Sequence, residues 1–187
     1  MYPEEKWDTR MITQLSTSRP PAQMVWGSIW LDQRGRPRRS PLVIMERDPD
    51  APRNGYTAKS YIKALRQGLL PYYRRGQLFQ QDNARIHTAA ATRAFLAQHG
   101  IKTINWPPYS PDLNPIEHMW WHLKKLLHRR YPEFNNFSRA EEEWDRFCEA
   151  LKECWRAIPS RLIKQLIMSM PARIRACQRS RGWHTKY

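Results

Sequence analysis

Residues 78–120 read LFQQDNARIHTAAATRAFLAQHGIKTINWPPYSPDLNPIEHMW, and the architecture can be inferred outward from them. Leu78 and Phe79 are an apolar approach that predicts a short strand ending near the carboxylate of Asp82. A helical segment and a second strand follow, and a proline-rich loop then leads to Glu117 in the first turn of another helix. Because the two acids are far apart in the chain, an α/β sheet is the simplest way to bring them together. We therefore predict an α/β fold.

The segments on either side of this stretch complete a single-domain pattern. Residues 24–31 and 42–45 are apolar and predict two strands of a hairpin, joined by a basic turn. The other predicted elements are a helix from Thr57 to about Leu70, a helix at 87–98, a strand at 102–106, a helix from Asn114-Pro115, a helix opened by the capping box Ser138-x-x-Glu141, and a final helix that ends near Met170. We expect an irregular N-terminal remnant at 1–23, a catalytic-type core at 24–130, and a C-terminal helical extension with a basic tail at 131–187.

Composition favours a polyanionic partner such as DNA. The chain carries 32 Lys and Arg against 17 Asp and Glu, a net charge of +15, together with nine Trp. A basic protein without such a partner remains the alternative. No apolar run approaches membrane-spanning length and no signal peptide opens the chain, so we expect no membrane partner. We also expect no small-molecule substrate. The cysteines, Cys148, Cys154 and Cys177, are odd in number, which favours buried reduced thiols.

Asp82 and Glu117 are the candidate catalytic and metal-binding residues. Carboxylates are the ligands that Mg²⁺ or Mn²⁺ prefers, and two such ions about 3.5–4 Å apart can promote phosphodiester chemistry. Each acid also has a structural interpretation, because Asp82 can cap the turn after its strand and Glu117 can complete a helix cap. Spacing alone favours these structural roles.

Other side chains have weaker functional indications. Four arginines at the hairpin tip are candidates for contacts with a DNA backbone, although a solvated turn is the more common case; they are Arg34, Arg36, Arg38 and Arg39. His118 and His122 have a spacing that can bind zinc, but without a third ligand a packing or surface role is favoured. His87 follows Asp82 closely and is more often structural. Among the tryptophans, Trp120 is expected in the core and Trp121 at the surface.

Two long motifs resemble the catalytic half of mariner-type DDE transposases. They are QDNARIHT at 81–88 and WPPYSPDLNPIEHMW at 106–120, and shorter similarities occur at VWG (25–27), at 61–65 and at GWHTKY (182–187). The resemblance implies a ribonuclease-H-like fold with a metal-bound triad, in which Asp82 is the second acid and Glu117 the third. It also implies Mg²⁺ or Mn²⁺ as cofactor, DNA as substrate for strand cleavage and transfer, and a nuclear location. The sequence leaves open whether the chain forms a homodimer.

The first acid of that triad is the point at which this sequence departs from the family. In the family it lies on a first strand, upstream of the segment that matches Lys6-Trp7. None of the other early aspartates, which are Asp8, Asp32, Asp48 and Asp50, stands in an apolar strand context. We therefore expect a truncated derivative or a fragment that lacks its first strand and has impaired activity. The alternative function is a non-catalytic DNA-binding or interaction protein derived from a transposon.

Overall fold

The computed structural model describes residues 23–52, 54–108, 110–136 and 141–180. The predicted remnant at 1–23 therefore lies almost wholly outside the described residues, as does the cap residue Ser138. The strands are β1 (Val25–Trp26), β2 (Ile29–Leu31), β3 (Pro37–Arg39), β4 (Val43–Ile44), β5 (Leu78–Phe79) and β6 (Lys102–Thr103). The helices are α1 (Ala58–Gly68), α2 (Arg85–Thr88), α3 (Ala90–Gln98), α4 (Ile116–Arg130), α5 (Glu141–Ala157), α6 (Ser160–Met168) and α7 (Met170–Arg179). Short 3-10 turns cover Pro111–Leu113 and Pro132–Asn136.

The predicted hairpin is present, and it is interrupted halfway. β1 pairs with β4 and β2 pairs with β3, both antiparallel, so β3 extends the second strand into the predicted turn. Between the two ladders, the Ser28 amide donates to the hydroxyl of Ser40 at 3.0 Å instead of to a backbone carbonyl. Gly27 is needed at this break because a Cβ there would lie 2.9 Å from the Trp155 ring. The close approach of Trp155 thus divides what the sequence predicts as one strand.

The hairpin separates two hydrophobic cores. Successive side chains of a strand point to opposite faces, and accordingly Leu42 packs with α4, α5 and α6, whereas Val43 packs with α1 and α3. The first core, called here the helical core, is centred on Met119, Leu123, Leu151, Trp155 and Ile163. The second, called the α1–α3 core, is centred on Trp26, Tyr61, Leu65, Phe95 and Leu96. One element therefore stabilises both halves of the molecule.

The predicted strands at Asp82 and before the proline-rich loop form a parallel pair. Leu78 pairs with Lys102 and Phe79 with Thr103, and the Ile104 amide donates to the Phe79 carbonyl at 3.0 Å. Both strands are shorter than predicted. The chain between them was predicted as one helix but forms α2 and α3, because Ala89 is extended. Thr92, fully buried, compensates for the break by donating its hydroxyl to the Ile86 carbonyl at 2.7 Å.

The C-terminal third differs from the prediction in one helix. The sequence suggested that helical structure ends near Met170, before Pro171, but α7 begins at that point. Proline is tolerated in a first helical turn because its missing amide hydrogen would have no partner there. Cys148 and Cys154 are buried free thiols and Cys177 is half-buried. In the part of the chain that the structure describes, none of the helices has the length and apolar character to cross a membrane.

Arg39 ties the hairpin to the C-terminal helices. Its guanidinium donates to the Ile158 carbonyl at 2.5 Å and also to the Trp155 carbonyl, both at the end of α5. The last carbonyls of a helix have no partner within the helix, and they favour a nearby cation. The Trp155 indole returns the contact by donating to the Ser40 carbonyl at 2.8 Å. The hairpin and α5 are thus joined in both directions.

Candidate functional site

A cleft of about 630 Å³ opens between the hairpin and the parallel strand pair. Its lining includes two unbroken runs of chain, residues 24–31 and 77–82. The face of a strand would contribute only every second residue, so the unbroken runs indicate that strand edges line the cleft. Within the described ranges, every strand belongs to a two-stranded sheet, which leaves both of these edges without a strand partner. The cleft therefore lies between unpaired strand edges of the interrupted hairpin and of the parallel pair.

Asp82 lies on the wall of this cleft, three residues after β5, and is fixed by local contacts. Its carboxylate accepts a hydrogen bond from the Ala84 amide at 2.9 Å. The same oxygen lies 2.6 Å from Nδ1 of His87 in the short helix α2. A turn bonded by an aspartate to an amide two residues on is a common local motif. The predicted turn-capping role is therefore present, and it also orients the carboxylate toward the cleft.

Tyr61 and Gln81 hold His87 in position. The Tyr61 hydroxyl donates to Oε1 of Gln81 at 2.8 Å, and the Gln81 amide donates to the His87 carbonyl at 3.3 Å. The rings of Tyr61 and His87 lie 4.1 Å apart between centroids. Burial raises the pKa of Tyr61, with a smaller contribution from the Asp82 carboxylate, so its hydroxyl remains a donor. The sequence alone gives no indication that Tyr61 has this role.

Glu117 reaches the same cleft from the first turn of α4. Its Oε1 accepts from the Asn114 amide at 3.3 Å, and Asn114 Oδ1 accepts from Gln80 at 3.1 Å. This chain of contacts links the Glu117 turn to the segment after β5 that carries Asp82. Partial burial raises the pKa of Glu117, the Asp82 carboxylate raises it further, and Lys124 opposes both. Asn114 was predicted as the helix cap, but α4 begins one residue later and its side chain instead binds Glu117.

Arg173 is the least expected member of the site. It is buried in α7, donates to Ser169 Oγ at 2.8 Å, and donates to the Asp112 carbonyl at 2.6 Å. Asp112 belongs to the 3-10 turn that precedes Glu117. Arg173 therefore anchors the proline-rich loop from a helix that the sequence did not predict. Its only signal in the sequence is that it lies among many basic residues, which hides it.

The four arginines of the hairpin tip have different surroundings. Arg38 pairs with Asp32 at 2.9 Å, and Arg39 is bound to the end of α5. Arg34 and Arg36 donate to the Asp32 carboxylate through their backbone amides, and their side chains are exposed at the tip. These hydrogen bonds, with that of Arg36 foremost, lower the pKa of Asp32. Arg34 and Arg36 are thus the tip arginines that are exposed and not described above as bound through their side chains.

The histidines and tryptophans of α4 differ in their surroundings. Burial lowers the pKa of both His118 and His122, and nearby cations lower it further. Among the described residues, no group of three or more His, Cys, Asp or Glu side chains is arranged to hold a metal ion. Trp120 packs on the helical core and stacks on Trp155 at 5.1 Å, whereas Trp121 is 46% exposed. The predicted core and surface positions of these two tryptophans agree with the structure.

Comparison with known sequences identifies relatives over much of the chain. The DDE superfamily endonuclease profile matches residues 53–139. The chain is 34% identical over 164 residues to the Tc1 transposase of Caenorhabditis elegans, which covers 88% of this chain and 54% of that protein. It is also 34% identical over 131 residues to the Tcb1 transposase of Caenorhabditis briggsae, which covers 68% of this chain and 45% of that protein. The chain thus spans about half the length of these relatives.

Solved structures share the mixed α/β fold. The Mos1 transposase catalytic domain, determined with raltegravir and magnesium, matches with a TM-score of 0.53 at 20% identity, covering 87% of this chain and 84% of that one. The Mos1 strand transfer complex matches with a TM-score of 0.55 at 23% identity, covering 91% of this chain and 47% of that one. The resemblance inferred from the two motifs is therefore confirmed. The chain is therefore homologous to the catalytic domain of the Tc1/mariner DDE transposases.

Proposed function

We propose that this chain forms a DDE-type endonuclease core for metal-dependent cleavage and transfer of DNA strands, with Asp82 and Glu117 as two of its acids. The observation that carries the proposal is their convergence on one cleft, where the Asp82 carboxylate raises the pKa of Glu117. A carboxyl group in a cleft whose pKa is raised by burial and by a second carboxylate is typical of functional sites. The proposed setting is the nucleus, where the family's DNA substrate lies.

The donor set suits one hard cation. Mg²⁺ is commonly held by one or two carboxylates, with water and substrate phosphate completing its shell, and Mn²⁺ accepts the same ligands. Asp82 and Glu117 would hold the ion, and it would supply charge stabilisation at phosphoryl oxygens. His87 orients Asp82, and Asn114 orients Glu117. A second ion would need a further carboxylate, and Asp82 and Glu117 are the only acids among the described residues that line the cleft.

The cleft itself suggests where that third acid belongs. We propose that the hairpin strands and the parallel pair are parts of one ribonuclease-H-like sheet. The gap between residues 24–31 and 77–82 would then be the position of a strand bearing the remaining aspartate. Two strand edges that line one cleft, each without a strand partner among the described residues, support this arrangement. Without such a strand, we expect strand transfer to be weak or absent.

Calorimetry with Mn²⁺ tests the metal site directly. We expect binding in the parent protein that is lost in Asp82→Asn and in Glu117→Gln. Asp145→Asn is a matched control because Asp145 is an exposed acid on α5, away from the cleft. Binding that survives both site variants in folded protein would overturn the assignment of Asp82 and Glu117.

A second experiment tests the sheet. The chain is extended at its N terminus by a strand that carries an aspartate, and metal-dependent nicking of supercoiled DNA is measured. We expect nicking to increase relative to an extension that carries asparagine at the same position. Equal nicking by both extensions, in folded protein that binds DNA, would contradict the proposed position of the third acid.

A non-catalytic DNA-binding role is the second candidate, and the basic surface favours it. The net charge is +15, and Arg34 and Arg36 extend from the hairpin tip where they can reach phosphates. A salt-sensitive DNA affinity that is unchanged in Asp82→Asn and Glu117→Gln, in a protein that binds no Mn²⁺, would support this role. Reduced affinity in a double Arg34→Gln, Arg36→Gln variant would identify the tip as part of the contact surface. Analytical ultracentrifugation would establish whether the chain forms a homodimer.

A further inference from the structure

We propose that the exposed stripe of α4, formed by Trp121, Lys124 and Lys125, binds unpaired nucleotides of DNA beside the acidic site, with Trp121 as a stacking platform. The inference rests on the proposed function for its DNA substrate, but not on catalysis.

Helical spacing places this stripe in line with Glu117. Residues four and seven positions after Glu117 lie on the same face of a helix, and these are Trp121 and Lys124. Lys125 borders them on the next position around the helix. All four residues are exposed, whereas Met119 and Leu123 on the opposite face are buried. The stripe therefore begins at a candidate catalytic acid and runs outward along the surface, over about 12 Å from Glu117 to Lys125.

Charge along the stripe favours a polyanion. Glu117 is the only acid in α4, and Lys124 is close enough to oppose the rise in its pKa. The cations at the end of the helix, Arg129 and Arg130, are explained by the helix dipole. Lys124 and Lys125 lie in the middle of α4, where the dipole gives no reason for them. A phosphate backbone that approaches Glu117 along α4 would contact both lysines.

Trp121 supplies the feature that distinguishes unpaired nucleotides from duplex. Trp121 is 46% exposed, whereas the neighbouring Trp120 is partly buried against the helical core. The Lys125 ammonium lies 4.7 Å from the ring centroid, over one face. The His122 ring also contacts Trp121, nearly perpendicular to it and 4.7 Å away between centroids. A base can therefore stack on the part of the indole that Lys125 and His122 leave exposed. Aromatic platforms beside lysines are typical of single-strand binding, and stacking requires a base that is free of its own stack.

Fluorescence anisotropy with a labelled single-stranded DNA of mixed sequence tests the proposal. The full chain is used in EDTA, so that neither metal nor catalysis contributes. We expect Trp121→Ala to weaken binding about tenfold, because a base stacked on an aromatic side chain contributes about 1–3 kcal/mol. Trp121→Tyr should retain most of the affinity, and Trp121→Leu should not. The affinity for a duplex of the same sequence should change much less in all three variants.

Salt dependence tests the lysines separately. The logarithm of the single-strand affinity falls linearly with the logarithm of salt concentration, and each lost phosphate contact lowers that slope by about 0.7. We expect a lower slope in Lys124→Gln and in Lys125→Gln. Lys164→Gln is the matched control, because Lys164 is an exposed lysine on α6. An unchanged slope in both α4 variants would remove the lysines from the binding surface.

The outcomes separate this inference from the proposed function. If the parent protein binds single strands and the Trp121 variants bind equally well, the stripe is only a solvated helix face and the inference fails. If the parent protein binds no DNA of either kind, the proposed function fails with it. Loss of binding in Trp121→Ala that leaves Mn²⁺ affinity intact would support the inference alone.

Discussion

Asp82 and Glu117 line the same cleft, yet contacts of very different range hold them there. Asp82 is fixed by Ala84 and His87, within five residues of itself. The Glu117 turn is fixed by Gln80 through Asn114, 34 residues apart in the chain, and by Arg173, which is 61 residues from the Asp112 it binds. A local turn orients its carboxylate wherever the segment folds. The long-range arrangement exists only when the whole molecule has folded.

The difference predicts that the Glu117 side depends more on remote residues. Arg173→Ala should have the largest effect, because it removes a buried cation and leaves the Asp112 carbonyl without this donor. We expect the free energy of unfolding to fall by about 3 kcal/mol in a urea titration. Mn²⁺ affinity should fall as well. Arg175→Ala, an exposed position two residues along α7, should change stability by less than about 0.5 kcal/mol; equal stability of the two variants would contradict the anchoring role.

The Asp82 side should be disturbed through the α1–α3 core beneath it. Gly68 packs directly on an indole, and a Cβ there would lie 2.3 Å from Cζ3 of Trp26. Since overpacking a core forces side chains or backbone to move, Gly68→Ala should lower the free energy of unfolding by about 2 kcal/mol. Alanine is otherwise the better helix former. Gly55→Ala, where the nearest atom is 3.8 Å away, should be close to neutral in the same titration, and a stabilised Gly68→Ala would show that Trp26 moves freely.

A smaller effect is expected from the local partner of Asp82. His87→Ala removes the 2.6 Å contact that orients the carboxylate. Groups that orient a ligand typically influence metal affinity, and we expect a loss of about tenfold, or about 1.4 kcal/mol, in Mn²⁺ calorimetry. His87→Asn retains a donor near the position of Nδ1 and should restore part of the affinity. No change in either variant would mean that the Ala84 amide alone is sufficient.

The smallest effect concerns pH and the coupling between the two acids. The pKa of Glu117 is raised by burial and then by Asp82, so the folded protein favours its protonated form. Its contribution to stability is therefore present below the ordinary glutamate pKa and is lost as pH rises through the raised value. Asp82→Asn should lower the pKa of Glu117, as measured by NMR titration of its carboxyl carbon. An unchanged pKa would mean that the two carboxylates do not interact.

The range of contacts also explains what the sequence could predict. Thr57 caps α1 as predicted, the periodic apolar residues of α4 are its buried face, and the two motif segments reach one cleft. These features depend on local propensity and on long motifs. The break at Gly27 and the helix α7 could not be predicted, because the first depends on Trp155 and the second on a proline that normally ends a helix. The role of Arg173 could not be predicted either, because in the sequence it is one of many basic residues.

The bonds from Arg39 to the end of α5 have a consequence for the order of synthesis. The hairpin leaves the ribosome before α5 does. The guanidinium of Arg39 in the hairpin binds backbone carbonyls that lie 116 and 119 residues later in the chain. At about 5–20 residues per second, the nascent hairpin waits on the order of ten seconds for these partners. Until then the face of Leu42 has no helical core against which to pack. The packing of the hairpin is therefore expected to be completed only after the end of α5 has been synthesised.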